Sequence, residues 1–238
     1  CTFSHDQIDL NFKDPLVLIE FIEIVLLLLS KGVTTFRLDA VAFIWKKNGT
    51  SCVNLPETHE IVKLLRLIVN YINPHALIVT ETNLPRKENL SYFGNNDEAN
   101  WIYNFPLPPL ILYTFLFEDS SKISGWSKSM PPAQINNAYL NFIASHDGIG
   151  MRPAEGILDN IILDKLFKRV KKNGGKFSFR KVESKNKVYE ANITLFDALK
   201  RTDFDKDGIF AVERYIAAHS ILLALEGVPA LSLIHIDA

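Results

Sequence analysis

Three carboxylates close short apolar runs: Asp39 in "FRLDA", Glu81 in "VTETN" and Asp147 in "ASHDG". Each has a polar neighbour, Arg37, Asn83 and His146 respectively. Parallel strands that alternate with helices bring their C-terminal ends to one face, so three such acids can meet there. Clustered carboxylates acting without a metal suit glycosidic bond transfer. One attacks the anomeric carbon and a second, held protonated, donates to the leaving oxygen, the two standing about 5 Å apart in a retaining enzyme. Taken singly, each acid is better read as a structural charge or a helix cap. A magnesium site is the other alternative, since hard cations also take carboxylate oxygens. The stretch "TTFRLDAVAF" adds a constraint. Read as a strand over 33–41, it places Arg37, Asp39 and Val41 on one face and Phe36, Leu38 and Ala40 on the other. Two charges on a covered sheet face are costly unless that face opens onto something polar.

The elements that must position these acids alternate. Residues 14–30 read as a helix with Asp14 as N-cap, Pro15 in the first turn and Gly32 as the stop. Its run "LVLIEFIEIVLLLLS" is too short to span a bilayer, contains Glu20 and Glu23, and reads as a buried amphipathic helix. Residues 57–72 repeat apolar positions at helical spacing (Ile61, Leu64, Leu65, Ile68), and Asn73–Pro74 ends that helix. Strands are expected at 33–41, 76–83, 100–105, 140–147 and 228–235. Helices are expected at 108–118, 154–172 and 209–226. The alternation predicts parallel strands with helical crossovers. No glycine-rich phosphate fingerprint follows any strand, against a dinucleotide or P-loop fold. Residues 148–207 interrupt the pattern as a long excursion, a common form of functional loop in α/β barrels.

The chain has 238 residues, 47% apolar and 22% charged, which suits one large globular domain. A net charge of −1 gives no general attraction to nucleic acid or anionic membrane, so neither is expected as a partner. Cys1 and Cys52 do not make a disulfide framework and fit a reducing, cytoplasmic setting. No signal peptide is visible, although the chain begins at Cys1 and an upstream region could carry one.

Several motifs are set aside. "DFDKDGIFAVER" imitates a calcium loop, but Arg214 stands where a bidentate Glu is needed. Asn48, Asn89 and Asn192 head glycosylation triplets that read as incidental. His5, His59, His75, His219 and His235 show no metal spacing. Trp45 and Trp101 are aromatics able to stack on sugars, with core packing the better reading for Trp101.

"GVTTFRLDAVAF", "LIVTETN" and "FIASHDGIG", in this order, resemble the strand-end motifs of the alpha-amylase superfamily of glycoside hydrolases, family 13. "DQIDLNF", "GTSCVNLPETHEIVKLLR", "TETNLPRKENLSYFGNNDEA", "NFPLPPLILYTF" and "SHDGIGMRPAEGIL" resemble its sucrose phosphorylase and glucosylglycerate phosphorylase-like branch.

The resemblance implies an α/β fold: an incomplete TIM (β/α)8 barrel made of roughly the fourth to eighth strands, with the excursion after the seventh. Residues 1–238 would then be a partial catalytic barrel and 148–207 its acceptor-loop region. It implies Asp39 as nucleophile, Arg37 as its charge partner, Glu81 as general acid/base with a raised pKa, and Asp147 with His146 holding sugar hydroxyls. It also implies that Tyr189 helps hold phosphate and Glu190 faces the acceptor, the alternative being packing for Tyr189 and a surface position for Glu190. "LEGVPALSLIH" resembles the final barrel strand, from which "SLIHIDA" departs.

The implied function is retaining glucosyl transfer by double displacement, phosphorolysing a glucoside such as sucrose, sucrose 6-phosphate or glucosylglycerate to glucose 1-phosphate. The implied partners are a sugar donor, phosphate and an acceptor, with no cofactor and no metal. A hydrolase of the same superfamily and a non-catalytic remnant are the alternatives. The missing first strands lead to the expectation that the chain is a fragment, inactive alone.

Overall fold

The computed structural model describes residues 2–182 and 185–231, and the chain divides into two compact units. The first comprises Cys1–Thr82, Lys87–Tyr103 and Gln134–Ala138. Its first helix, α1 (Pro15–Ser30), starts where expected: the Asp14 carboxylate accepts from the Leu16 N–H at 3.0 Å, and Pro15 occupies a position with no N–H to satisfy. The expectation that this helix is buried is corrected. Leu18, Ile22, Val25 and Leu29 recur at helical spacing and face the core, whereas Leu16, Ile19, Ile24, Leu26, Leu27 and Leu28 are exposed. Only Glu20 and Glu23 break its apolar run, so the sequence did not reveal how narrow the packed stripe is.

Strand β1 (Thr35–Leu38) is shorter than expected. It ends before Asp39 because Ala40 turns into the left-handed region at φ 46° and a 3-10 turn, Val41–Phe43, follows. Helix α2 (Pro56–Ile72) ends at Asn73, whose extended backbone precedes Pro74. Strand β2 (Leu77–Thr80), the short helix α3 (Arg86–Leu90) and strand β3 (Trp101–Tyr103) follow. β1 and β3 each pair in parallel with β2. Phe36 and Ile78 on the strands pack with Ile61, Leu65 and Val69 of α2. Burying each such side chain is worth about 1.5–3 kcal/mol before entropy is charged against it. Trp45 packs against this core.

The second unit comprises Asn83–Arg86, Asn104–Ala133 and Tyr139–Ala238. Helix α4 (Leu107–Phe117) is buried almost all round, by Leu107, Leu110, Ile111, Leu112 and Leu116, which accounts for its unbroken apolar sequence. After α5 (Ser121–Ser129), strand β4 (Ala138–Asn141) reaches Asn141, which pairs in parallel with Pro229 of the last strand. Strand β5 (Ile149–Gly150) is followed by a 3-10 turn and then α6 (Asn160–Lys172), capped by the Asp159 carboxylate on the Ile162 N–H at 2.8 Å. Helix was expected from residue 154, but Gly156 at φ 82° delays it.

Strands β6 (Lys176–Val182) and β7 (Lys185–Asn192) join β5 in an antiparallel sheet of order β5-β7-β6, which the sequence reading treated as an irregular excursion. Helices α7 (Leu195–Leu199) and α8 (Ala211–Ala224) precede β8 (Val228–Pro229). Residues 232–235 of the expected last strand, including His235, lie outside the described residues. The observed architecture is α/β, with parallel strands in each unit. Among the described residues no helix is long and apolar enough to cross a membrane.

Candidate active site

In the first unit the paired residues Leu38↔Thr80 and Thr80↔Ile102 lie level across the three strands. One position further on come Asp39, Glu81 and Tyr103, at the C-terminal ends of neighbouring parallel strands. The hydrogen bonds follow from that level. Arg37 Nη1 donates to Asp39 Oδ1 at 2.5 Å, and Arg37 Nε donates to the Tyr103 hydroxyl at 3.2 Å. The guanidinium carbon also lies 5.6 Å from the centre of the Tyr103 ring. Burial works against the Arg37 charge, but Tyr103 and Asp39 outweigh it and raise its pKa above the ordinary value. The arginine is therefore a fixed cation beside an aspartate whose side chain stays 73% exposed, open to an incoming molecule.

Glu81 reaches back to the same turn. Its Oε2 accepts from the Ala40 N–H at 3.0 Å, and its own N–H donates to the Leu38 carbonyl at 3.0 Å. The left-handed Ala40 thus has a use: the turn directs its N–H at Glu81 immediately after Asp39. Such a conformation costs a non-glycine residue about 1–3 kcal/mol and persists only where the surroundings enforce it. The segment after Glu81 is pinned by a buried relay. Thr82 Oγ1 donates to Asn89 Oδ1 at 2.6 Å, and Asn89 Nδ2 donates to the Tyr103 carbonyl at 2.9 Å. Asn89 is only 4% exposed, so it is a structural amide rather than a glycosylation acceptor.

Sequence reasoning therefore brought Arg37, Asp39 and Glu81 together and missed three contributors. Tyr103 was hidden in the apolar strand "NWIYNF", where only the parallel register reveals its level. The Ala40 turn has no side-chain signature. Asn89 was visible only as a triplet match.

In the second unit His146 and Asp147 follow β4. His146 Nε2 lies 3.1 Å from Asp147 Oδ1, and the Asp147 N–H donates to the Ser145 hydroxyl at 3.3 Å. Gly148, at φ 97°, closes the turn: a Cβ there would lie 2.7 Å from the Ala191 carbonyl oxygen. The turn lines a cavity of about 380 Å³ whose other wall is Asn192–Leu195. Tyr189 and Glu190 lie on β7. Glu190 is paired with both Gly150 and Ser178, and Val188 with Phe179, so Tyr189 is the extra residue of a β-bulge. Its carbonyl accepts from the Met151 N–H at 2.9 Å. A bulge re-aims a side chain out of the strand's alternation, and no period-2 reading of "NKVYEAN" shows it.

The calcium-like stretch is a helix staple instead. Asp205 accepts from the N–H groups of Gly208, Ile209 and Phe210, each at 2.9 Å, and pairs with Arg214 at 2.8 Å. Among the described residues no group of three or more His, Cys, Asp or Glu could hold a metal ion.

Strand ends carrying an arginine-held aspartate and a backbone-held glutamate define an α/β protein with a carboxylate site. The family described as the catalytic domain of alpha amylase matches residues 1–148, and the chain belongs to that family. It is 45% identical over 229 residues to the glucosylglycerate phosphorylase of Allomeiothermus silvanus, covering 96% of this chain and 41% of that protein. It is 41% identical over 232 residues to the glucosylglycerate phosphorylase of Escherichia coli, covering 97% of this chain and 41% of that one. The crystal structure of sucrose 6F-phosphate phosphorylase from Thermoanaerobacter thermosaccharolyticum superimposes with a TM-score of 0.78 at 24% identity, over 94% of this chain and 42% of that one. That likeness concerns the fold. The chain thus spans 41% of the length of each of these two curated relatives.

Proposed function

We propose that the protein transfers a glucosyl unit with retention, by phosphorolysis of a glucoside to glucose 1-phosphate. The observation that carries this reading is the Arg37–Asp39 pair at 2.5 Å with Glu81 bound to the next backbone N–H at 3.0 Å. Relatives named glucosylglycerate phosphorylase, at 45% and 41% identity over nearly the whole of this chain, support it. In this reading Asp39 attacks the anomeric carbon and forms a covalent glucosyl ester while Glu81 protonates the leaving oxygen. Glu81 then takes the proton of the incoming phosphate oxygen, which displaces Asp39. Arg37 keeps Asp39 ionised and aimed. Asp147 and His146 hold sugar hydroxyls, Tyr189 contacts phosphate and Glu190 faces the acceptor. β1, β2, β3, β4 and β8 correspond to the fourth to eighth strands of a (β/α)8 barrel, with 148–207 as the acceptor-loop excursion after the seventh. The activity belongs to that barrel in full. A cytoplasmic setting goes with the reading.

The test is a product assay on the protein bearing this sequence, and on a chimaera in which residues 1–238 replace the matching segment of the Escherichia coli relative. Phosphate-dependent formation of α-glucose 1-phosphate from glucosylglycerate, sucrose or sucrose 6-phosphate is the expected result. Free glucose formed at a rate independent of phosphate would make it a hydrolase. Neither product from either protein would remove the catalytic reading.

A further inference from the structure

His59 has no part in the scheme above, yet both of its ring nitrogens are engaged inside the first unit. Its Nδ1 lies 2.7 Å from Glu98 Oε2 and its Nε2 lies 3.2 Å from Asn54 Oδ1. The ring stacks on Tyr92, with centroids 4.6 Å apart. The side chains of His59 and Glu98 are 16% and 4% exposed. A carboxylate buried to that degree needs a donor, so Nδ1 carries a proton. Nε2 then bonds the Asn54 amide in either charge state. A charged ring donates to Oδ1, and a neutral ring accepts from the amide nitrogen once the amide turns over. The Glu98 end is fixed in turn. Arg66 Nη1 donates to the Glu98 carbonyl at 3.4 Å, and the Ala99 N–H donates to the Tyr92 carbonyl at 2.8 Å.

The other end leads to the turn after Asp39. The Asn54 N–H donates to the Ala42 carbonyl at 2.8 Å, and the Phe43 N–H donates to the Ala40 carbonyl at 3.0 Å. The Ala40 N–H donates to Glu81 Oε2 at 3.0 Å. The left-handed backbone at Ala40, φ 46°, persists only where its surroundings enforce it. Asn54 is left-handed too, at φ 53°. We propose that His59 is a positioning residue for Glu81: anchored on Glu98, it holds Asn54 and through it the Ala40 turn, and so aims the Glu81 carboxyl at the leaving oxygen. The proposal rests on the reading of Glu81 as general acid. His59 touches no substrate and passes no proton to it.

The experiment uses Asn54→Gly, Asn54→Asp and His59→Phe in the protein bearing this sequence, each matched to the parent by circular dichroism. Asn54→Gly removes the amide without strain at a positive φ and leaves the His59–Glu98 pair whole. Asn54→Asp keeps an acceptor for Nε2, and His59→Phe keeps the ring that stacks on Tyr92. Each variant is assayed on glucosylglycerate, whose leaving oxygen needs a proton, and on glucosyl fluoride, which needs none. The expected result for Asn54→Gly and His59→Phe is a kcat lowered about tenfold or more on glucosylglycerate and changed less than about threefold on glucosyl fluoride. Asn54→Asp recovers most of that loss. Hydrogen exchange at the Ala40 amide, followed by NMR, is expected to run about tenfold faster in Asn54→Gly than in the parent.

Equal losses on both donors mark a merely structural histidine and overturn the proposal. So do unchanged rates in Asn54→Gly and His59→Phe, or an Asn54→Asp no better than Asn54→Gly. If Glu81→Gln itself loses equally on both donors, or the protein transfers no glucosyl group, the general-acid reading fails by itself and exchange at the Ala40 amide decides the link. Faster exchange in Asn54→Gly sustains it, and unchanged exchange ends it. Where His59→Phe does not fold, the two Asn54 variants carry the test.

Discussion

The first unit presents Arg37, Asp39 and Glu81 at the ends of neighbouring parallel strands, tied by hydrogen bonds of 2.5 and 3.0 Å and braced by Tyr103. The second presents Tyr189 on an antiparallel strand broken by a bulge, and Asp147 on a glycine turn with 53% of its side chain exposed. In the first case regular geometry does the positioning, because parallel register puts successive strand ends at one level. In the second, irregular geometry does it, through a positive φ at Gly148 and one surplus residue in β7. The contrast suits a division of labour. On the proposed reading, groups that make and break bonds need fixed distances, whereas groups that admit different acceptors need loops whose shape can change without disturbing the sheet.

The sharpest way to break that comparison is to remove the carboxylate proposed as nucleophile. Asp39→Asn is expected to cost about 10⁴-fold or more in kcat, as loss of a covalent nucleophile does, measured as glucose 1-phosphate released per minute. Activity within tenfold of the parent would move the chemistry elsewhere. Glu81→Gln is expected to lose about 10²–10⁴-fold on donors with poor leaving groups. It should lose far less on glucosyl fluoride, which needs no protonation. An equal loss on both donors would deny Glu81 the acid role.

Gly148→Ala tests the irregular half. A methyl group placed 2.7 Å from the Ala191 carbonyl, on a backbone at φ 97°, is expected to destabilise the protein by about 2–3 kcal/mol in denaturant melts. Unchanged stability would show that the turn can relax. Tyr103→Phe removes one hydrogen bond from Arg37 and is expected to lower kcat about threefold to tenfold, the worth of about 0.5–1.5 kcal/mol. The Asp39–Arg37 pair remains, so a larger loss would make Tyr103 more than a brace.

The smallest effect is in acid. Burial pushes the Asp205 carboxyl up, but the N–H groups of Phe210 and Ile209 and the Arg214 guanidinium outweigh it and bring its pKa to about 2. A depressed folded-state pKa gives stability that is present above the unfolded value near 4 and lost as pH falls toward 2. The melting temperatures of the parent and Asp205→Asn are therefore expected to differ most near neutrality and to converge near pH 2. A gap that stayed constant with pH would assign the staple to shape rather than charge.

Much of the candidate site was legible in the residues. Short apolar runs ending in Asp39 and Glu81 declare strand ends, because period-2 patterning and a terminal acid are local properties, whereas the strand expected over 140–147 ends at Asn141 and leaves Asp147 on a turn. Other features were not legible, for physical reasons. Apart from Glu20 and Glu23, α1 is apolar, so how narrow a stripe of it packs could not be read from the sequence. The β5–β7–β6 sheet was obscured because Lys176 and Ser178, both exposed, interrupt the apolar alternation of Phe177 and Phe179. Phe179 is 62% exposed, which no pattern rule anticipates.

By itself the sequence determined the alternation of helices and strands over residues 14–103, the cap at Asp14, and the strand ends at Asp39 and Glu81. These follow from interactions between residues close in the chain. The tertiary structure alone decided that Tyr103 braces Arg37 across 66 residues and that Glu81 holds the turn at Ala40 across 41. It alone made Tyr189 the surplus residue of β7. Those outcomes depend on strand register, and register is set by how separate segments pack rather than by any one of them.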